Sequence, residues 1–92
     1  MAQTRLRAAL IGVGAWGRVL AKAASQSEKI EFVSCVGRHA ERLAAFGRDM
    51  RLPARADLDA VLADQDIDAV VLALPNELHF DFAQRAARAG KH

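Results

Sequence analysis

Residues 9–24 read ALIGVGAWGRVLAKAA: an apolar run, three glycines within six positions, and a tail with helical spacing. Glycine weakens strands and helices alike, so three of them at the junction of two patterned segments require a reason. Either the backbone turns tightly there or another molecule comes close to it. The run before the glycines, RAALIGV at 7–13, is short, continuous and apolar, as a strand buried on both faces is. Behind it Trp16, Val19, Leu20, Ala23 and Ala24 recur at the spacing of a single helix stripe, which places Trp16 in the core or at a pocket rim. Gly12, Val13, Gly14, Ala15, Trp16 and Gly17 thus form G-x-G-x-x-G after a strand and at the opening of a helix. In that setting the spacing predicts a dinucleotide cradle. Gly12 permits the turn, Gly14 lets a pyrophosphate reach the backbone, and Gly17 lets the helix lie close to the strand. The helix N-terminus adds free N–H groups and a partial positive charge. A glycine turn without a ligand leaves the spacing unexplained.

Outward from this stretch the same alternation repeats. KIEFVSCVG (29–37) is β-branched and apolar, and RHAERLAAFG (38–47) places Leu43 and Phe46 on one helix face with Gly47 as a C-terminal cap. LPARA (52–56) allows at most a very short strand. DLDAVLAD (57–64) starts with Asp57 as N-cap and turns Leu58, Val61 and Leu62 inward. IDAVVLAL (67–74) is the clearest strand, Pro75 ends it, and NELHFDFAQRAARAG (76–90) is a helix with Leu78, Phe82 and Ala86 inward. The order βαβαβαβα predicts an α/β fold, a doubly wound parallel sheet with right-handed crossovers.

Composition bounds the function. The chain has 92 residues, 52% of them hydrophobic, which suffices for one small domain with one core. A net charge of +2 is dispersed, with arginines interleaved among acidic residues, so no nucleic-acid surface is implied. The single cysteine, Cys35, cannot form an internal disulfide and sits mid-strand, as a buried inert thiol does; no Cys/His spacing suggests a metal. A reducing cytoplasm fits best. Arg5 and Arg7, the apolar run and AKA at 21–23 outline a signal peptide, but the glycines and Arg18 interrupt it. No run approaches the length of a membrane span.

The end of the second strand bears on the choice of dinucleotide. A ribose 2′-hydroxyl is normally met by an acidic residue about 20 residues after the fingerprint, but the sequence there is CVGRH, with no carboxylate at Val36, Gly37 or Arg38. Arg38 instead offers a planar cationic fork suited to a 2′-phosphate, Gly37 leaves room for it, and Arg42 is one turn further on. The other reading of Arg38 is a solvated residue at a helix start. The residues favour NADP, with NAD as the alternative.

GVGAWG, GRHAERLAAFG and the stretch from DLDAVLADQDIDAVVLALPNELH through AGKH resemble the N-terminal domain of the glucose-fructose oxidoreductase and inositol dehydrogenase (Gfo/Idh/MocA) family over essentially the whole chain. The resemblance implies a Rossmann fold. It also implies that the loop of Leu74, Pro75 and Asn76 lies against the nicotinamide half of the cofactor, with His79 in the same motif. Topology alone places residues 74–79 opposite residues 12–17, at the carboxyl ends of the strands; a packed or solvated His79 is an equal reading. The resemblance further implies a fifth strand after AGKH, then a Glu-Lys-Pro motif whose lysine assists proton transfer, and a larger substrate domain. None of these lies within residues 1–92, so the chain is expected to be a fragment that binds cofactor without catalysing.

Two functions follow: the cofactor domain of an oxidoreductase moving hydride between NADP(H) and a hydroxyl or carbonyl carbon of a sugar, polyol or related small molecule, or a non-catalytic nucleotide-binding or sensor module complete in itself. Asp64, Asp66 and Asp68 lie in a connecting turn as solvated charge, and Asp57 and Asp59 serve the helix start. With a strand order of 3-2-1-4, the 67–74 strand becomes a bare apolar edge, and the chain is expected to self-associate through it.

Overall fold

A computed structural model describes residues 5–74 and 76–92. Its elements are β1 (Leu6–Ile11), α1 (Ala15–Ala24), β2 (Ile30–Val36), α2 (Ala40–Met50), β3 (Ala54–Arg55), α3 (Leu58–Ala63), β4 (Ala69–Leu72) and α4 (Asn76–Arg88). The strands form one parallel sheet in the order β3-β2-β1-β4, so the fold is the doubly wound α/β arrangement, with the chain reversing direction on either side of β1.

Side-chain alternation along the central strand builds two cores. Leu10 packs with Ala21, Cys35, Leu43 and Phe46 beneath α1 and α2, whereas Ala9 and Ile11 pack with Val36, Val61 and Ile67 beneath α3 and α4. Phe46, Leu10 and Ile11 are among the largest fully buried side chains, each contributing about 1.5 to 3 kcal/mol of transfer free energy. Burial also pushes the Cys35 thiol up from its ordinary pKa, away from the reactive thiolate.

Three local expectations are corrected. The buried residues of α1 are Gly17 and Ala21; Trp16 and Val19 are 62% and 52% exposed, so Trp16 is neither core nor rim. The reason is the closeness of the helix to the sheet: a Cβ on Gly17 would stand 2.5 Å from the Gly12 carbonyl oxygen. Only small residues fit that seam; Trp16 and Val19 are turned out, while Leu20 packs at its side against the core. Gly47 is not a cap but lies buried within α2, which continues to Met50 and ends on Arg51 in the left-handed region. Gly47 is small because the returning chain presses on it, with Leu52 O 2.7 Å from the position of a Cβ. The strand at 67–74 shortens to Ala69–Leu72, with Ile67 buried below it.

The aspartates of the connecting turn do more than meet solvent. Asp64 pairs with Arg55 at 3.0 Å, and Asp68 accepts the Arg7 backbone N–H at 3.0 Å. Arg7 Nε donates to the Asp66 carbonyl, and Lys91 Nζ donates to the carbonyls of Asp64 and Ile67. Asp59 pairs with Arg85 while Asp57 caps α3 through the Asp59 N–H. These contacts fasten the amino end of the sheet.

The edge of β4 is also not bare. His92 N–H donates to Asp68 O at 3.0 Å and Val70 N–H donates to His92 O at 2.9 Å, so the last residue has begun to pair in parallel with β4.

Candidate functional site

At the carboxyl ends of the strands lies a groove of about 820 Å³, within the size range of small-molecule sites. The turns after β1, β2 and β4 converge there because parallel strands deliver all their carboxyl ends to one edge.

The β1–α1 turn is fixed by the protein itself. Gly12 has φ +112°, and a Cβ there would overlap the Ala73 carbonyl oxygen. Its N–H donates to Val36 O at 2.8 Å. Gly14 is different: φ is −84°, and nothing stands within 4 Å of where a Cβ would be. No packing or backbone reason makes this residue glycine, and the space it leaves opens on the groove. Gly14 is also the N-cap of α1; no side chain caps this helix and no acidic residue occupies its first turn. The first N–H groups of α1 thus have no side-chain cap, as at helix ends able to bind an anion.

The β2–α2 turn contributes Gly37, Arg38, His39 and, from the helix, Arg42. Arg38 and Arg42 are exposed and have no ion-pair partner among the described residues. Among the described residues that line the groove, the charged groups are these two guanidiniums, and there is no carboxylate. The room beside Gly37 is narrower than its size suggests, because Val13 Cγ2 would lie 2.8 Å from a Cβ there.

The far wall consists of Ala73, Leu74, Leu78 and Phe82, with Ala56 and Leu58 completing an apolar lining. Pro75, and the side chain of Asn76, lie outside the described residues; Asn76 opens α4.

Of the residues singled out from sequence, Gly12, Val13, Gly14, Gly37, Arg38, Arg42 and Leu74 meet at the groove. Ala15, Trp16, Gly17 and His79 are not among its lining residues. Gly17 acts from behind, by seating α1. His79 is half-buried, with Nε2 2.7 Å from Leu74 O. A carbonyl only accepts, so Nε2 carries the proton and donates. His79 holds its own loop rather than facing the groove.

Sequence reasoning passed over His39 and Ala73, and read Leu78 and Phe82 as inward helix residues without placing them at the groove. His39, the N-cap of α2, was detectable as the neighbour of Arg38 at a strand end; Ala73 carried no signal beyond its position before the loop. Among the described residues no helix is long and apolar enough to cross a membrane, and no cluster of His, Cys, Asp or Glu could hold a metal.

Comparison with known proteins bears on this groove. The family described as "Oxidoreductase family, NAD-binding Rossmann fold" matches residues 6–92. Inositol 2-dehydrogenase of Rhizobium meliloti is 39% identical over 90 residues, covering 94% of this chain and 26% of that protein. 4-Carboxy-2-hydroxymuconate-6-semialdehyde dehydrogenase of a Sphingobium species is 34% identical over 88 residues, covering 95% of this chain and 28% of that protein. Among solved structures, biliverdin reductase of Synechocystis with biliverdin and NADP+ superposes with a TM-score of 0.89 at 28% identity, over 97% of this chain and 28% of that one. The chain therefore spans about a quarter of the length of the relatives it matches.

Proposed function

The chain belongs to the Gfo/Idh/MocA oxidoreductase family, with its NAD-binding Rossmann fold, and from that membership we propose that residues 1–92 form the dinucleotide domain of an NADP(H)-dependent dehydrogenase or reductase acting on a sugar, polyol or related small molecule. One observation carries the reading: a groove with two guanidiniums and no carboxylate adjoins an uncapped helix start beside an open Gly14. When bound, the nicotinamide supplies hydride transfer.

On this reading the residues act as follows. The backbone at 12–14 and the first turn of α1 hold the pyrophosphate. Arg38, with Arg42, meets a 2′-phosphate, which a guanidinium matches in shape and charge. A free 2′-hydroxyl would find no carboxylate, its usual acceptor, among the described residues of the groove wall, which works against NAD. Ala73 and Leu74 bound the nicotinamide half, with Pro75 and Asn76 assigned to the same loop by family resemblance, and His79 fixes the Leu74 carbonyl. No residue of the chain is assigned to proton transfer. None of these residues is given a part in substrate recognition, and the sugar and polyol class rests on the relatives. Buried Cys35 suits a reducing, cytoplasmic setting.

Calorimetric titration tests the cofactor reading. NADPH is expected to bind at least about tenfold more tightly than NADH. Equal affinities overturn the choice of NADP, and binding of neither overturns the dinucleotide reading.

The outer edge of β4 supports a second partner reading, association of two chains. Among the described residues the His92 backbone hydrogen-bonds to Asp68 and Val70, and the N–H of Leu72 faces the same side by the two-residue period of a strand. Sedimentation across a concentration series is expected to show dimer; a monomer throughout rejects it.

A further inference from the structure

On the α3 and α4 side of the sheet, from Arg7 at the start of β1 across Ser34 to Arg55 of β3, lies a second cavity of about 230 Å³. It shares no lining residue with the groove. Its wall includes Arg7, Ser34, Arg55, Asp64 and Asp66. The β2 register explains its most unusual member. Ala8 pairs with Phe32 but Ala9 with Ser34, so Val33 is an extra residue in β2. Such a bulge re-aims the side chains beside it. Ser34 is only 2% exposed, and its hydroxyl has no hydrogen-bond partner among the described residues. An unpaired buried hydroxyl is costly, and in a polar cavity it indicates a missing partner.

The other groups say what that partner is. Each guanidinium has five N–H donors, and among the described residues the side chain of Arg7 uses one, to Asp66 O, and that of Arg55 one, to Asp64. On the acceptor side, Asp64 is half occupied. Its carboxylate accepts the Asp66 N–H at 2.9 Å and Arg55 at 3.0 Å, and these two contacts hold it below the usual carboxylate range. The Asp66 carboxylate remains, exposed to solvent. The eight guanidinium N–H groups left over outnumber the roughly six lone-pair positions left on Asp64 and Asp66, and the complement of that surplus is a ligand that only accepts.

We propose that this cavity is a binding site for a small oxyanion, a phosphate or carboxylate group, held by Arg7, Arg55 and the Ser34 hydroxyl and independent of the dinucleotide groove. The volume admits a group of a few heavy atoms, since a water occupies about 30 Å³.

The test is residue-resolved NMR of the chain saturated with NADP+, so that the fingerprint turn does not compete, titrated with sodium phosphate and separately with sodium acetate against chloride of equal ionic strength. Saturable shifts are expected at Val33, Ser34, Arg55 and Ile67, and the tighter of the two anions identifies the oxyanion. Arg7→Gln is expected to weaken binding by about tenfold. Ser34→Ala, which removes the orphaned hydroxyl without creating a void, is expected to fold and to bind several-fold more weakly. Shifts that do not saturate, or that are unchanged in both variants, mean an adventitious ion only and overturn the proposal, as do shifts confined to residues 12–17. Failure of NADP+ to bind would reject the cofactor reading while leaving the shifts at Ser34 interpretable.

Discussion

The β1–α1 and β2–α2 turns lie side by side at the carboxyl edge of the sheet and open on the same groove, yet they are held in opposite ways. In the first, Gly12 is wedged against Ala73 O and Gly17 against Gly12 O, so internal contacts determine the residue types. In the second, Arg38 and Arg42 stand exposed, without ion-pair partners among the described residues. On the proposed reading, the first turn frames any dinucleotide, and the second, built from groups that make no ion pair among the described residues, distinguishes one dinucleotide from another. Affinity and selectivity then fall to neighbouring loops under different constraints.

Substitutions can break this division. The largest effect is expected from Gly12→Ala, which forces a Cβ into the Ala73 carbonyl at a positive φ. A loss of at least about 3 kcal/mol of stability should appear in thermal melts, enough to unfold much of a small domain. Survival of the fold would mean that the frame is softer than its contacts imply. Gly14→Ala, two residues on, should fold normally or gain up to about 1 kcal/mol, because its backbone angles suit alanine. It should nevertheless lose at least about tenfold in affinity for NADPH and NADH alike, measured by titration. A variant that binds as well as the parent would show that no phosphate lies over Gly14.

Smaller effects belong to the second turn. Arg38→Ala should weaken NADPH by about 10- to 100-fold and NADH little, since only the former loses a charge-assisted contact. Equal losses would remove the 2′-phosphate role. Arg42→Ala, further along the helix, should cost NADPH only about two- to fivefold. Trp16→Ser marks the lower limit. Although the residue sits inside the fingerprint, its exposure predicts a stability change within about 0.5 kcal/mol and unaltered titrations.

The same contrast explains what the sequence could and could not reveal. The strand order and the roles of Gly12 as the turn and Gly17 as the close seam were legible, because each follows from apolar patterning or from a glycine that nothing else could replace, whereas the single core expected from the sequence is two, one on each face of the sheet. The inward face of α1 was misread, since counting large apolar residues assumes a helix at ordinary distance from the sheet. Gly17 and Ala21 bring it closer and turn Trp16 and Val19 outward. Gly47 was misread for the same kind of reason: its neighbour, Leu52 O, comes from outside the helix, and helix periodicity carries no record of it. His79 showed its chemistry in the sequence but not its direction, which depends on the turn of a single carbonyl.

The contact between Gly12 and Ala73 ties the two halves of the groove into one body. Gly12 N–H is bonded to Val36 O and Ala73 N–H to Ile11 O, both at 2.8 Å, so the ends of β1, β2 and β4 are stitched together beneath the glycine turn. A ligand arriving there has little backbone to order, and the entropic penalty of loop immobilisation is small. These two amides should exchange slowly with deuterium even in ligand-free protein, and addition of dinucleotide should slow them little further. The heat of binding would then report the contacts themselves, undiluted by local folding.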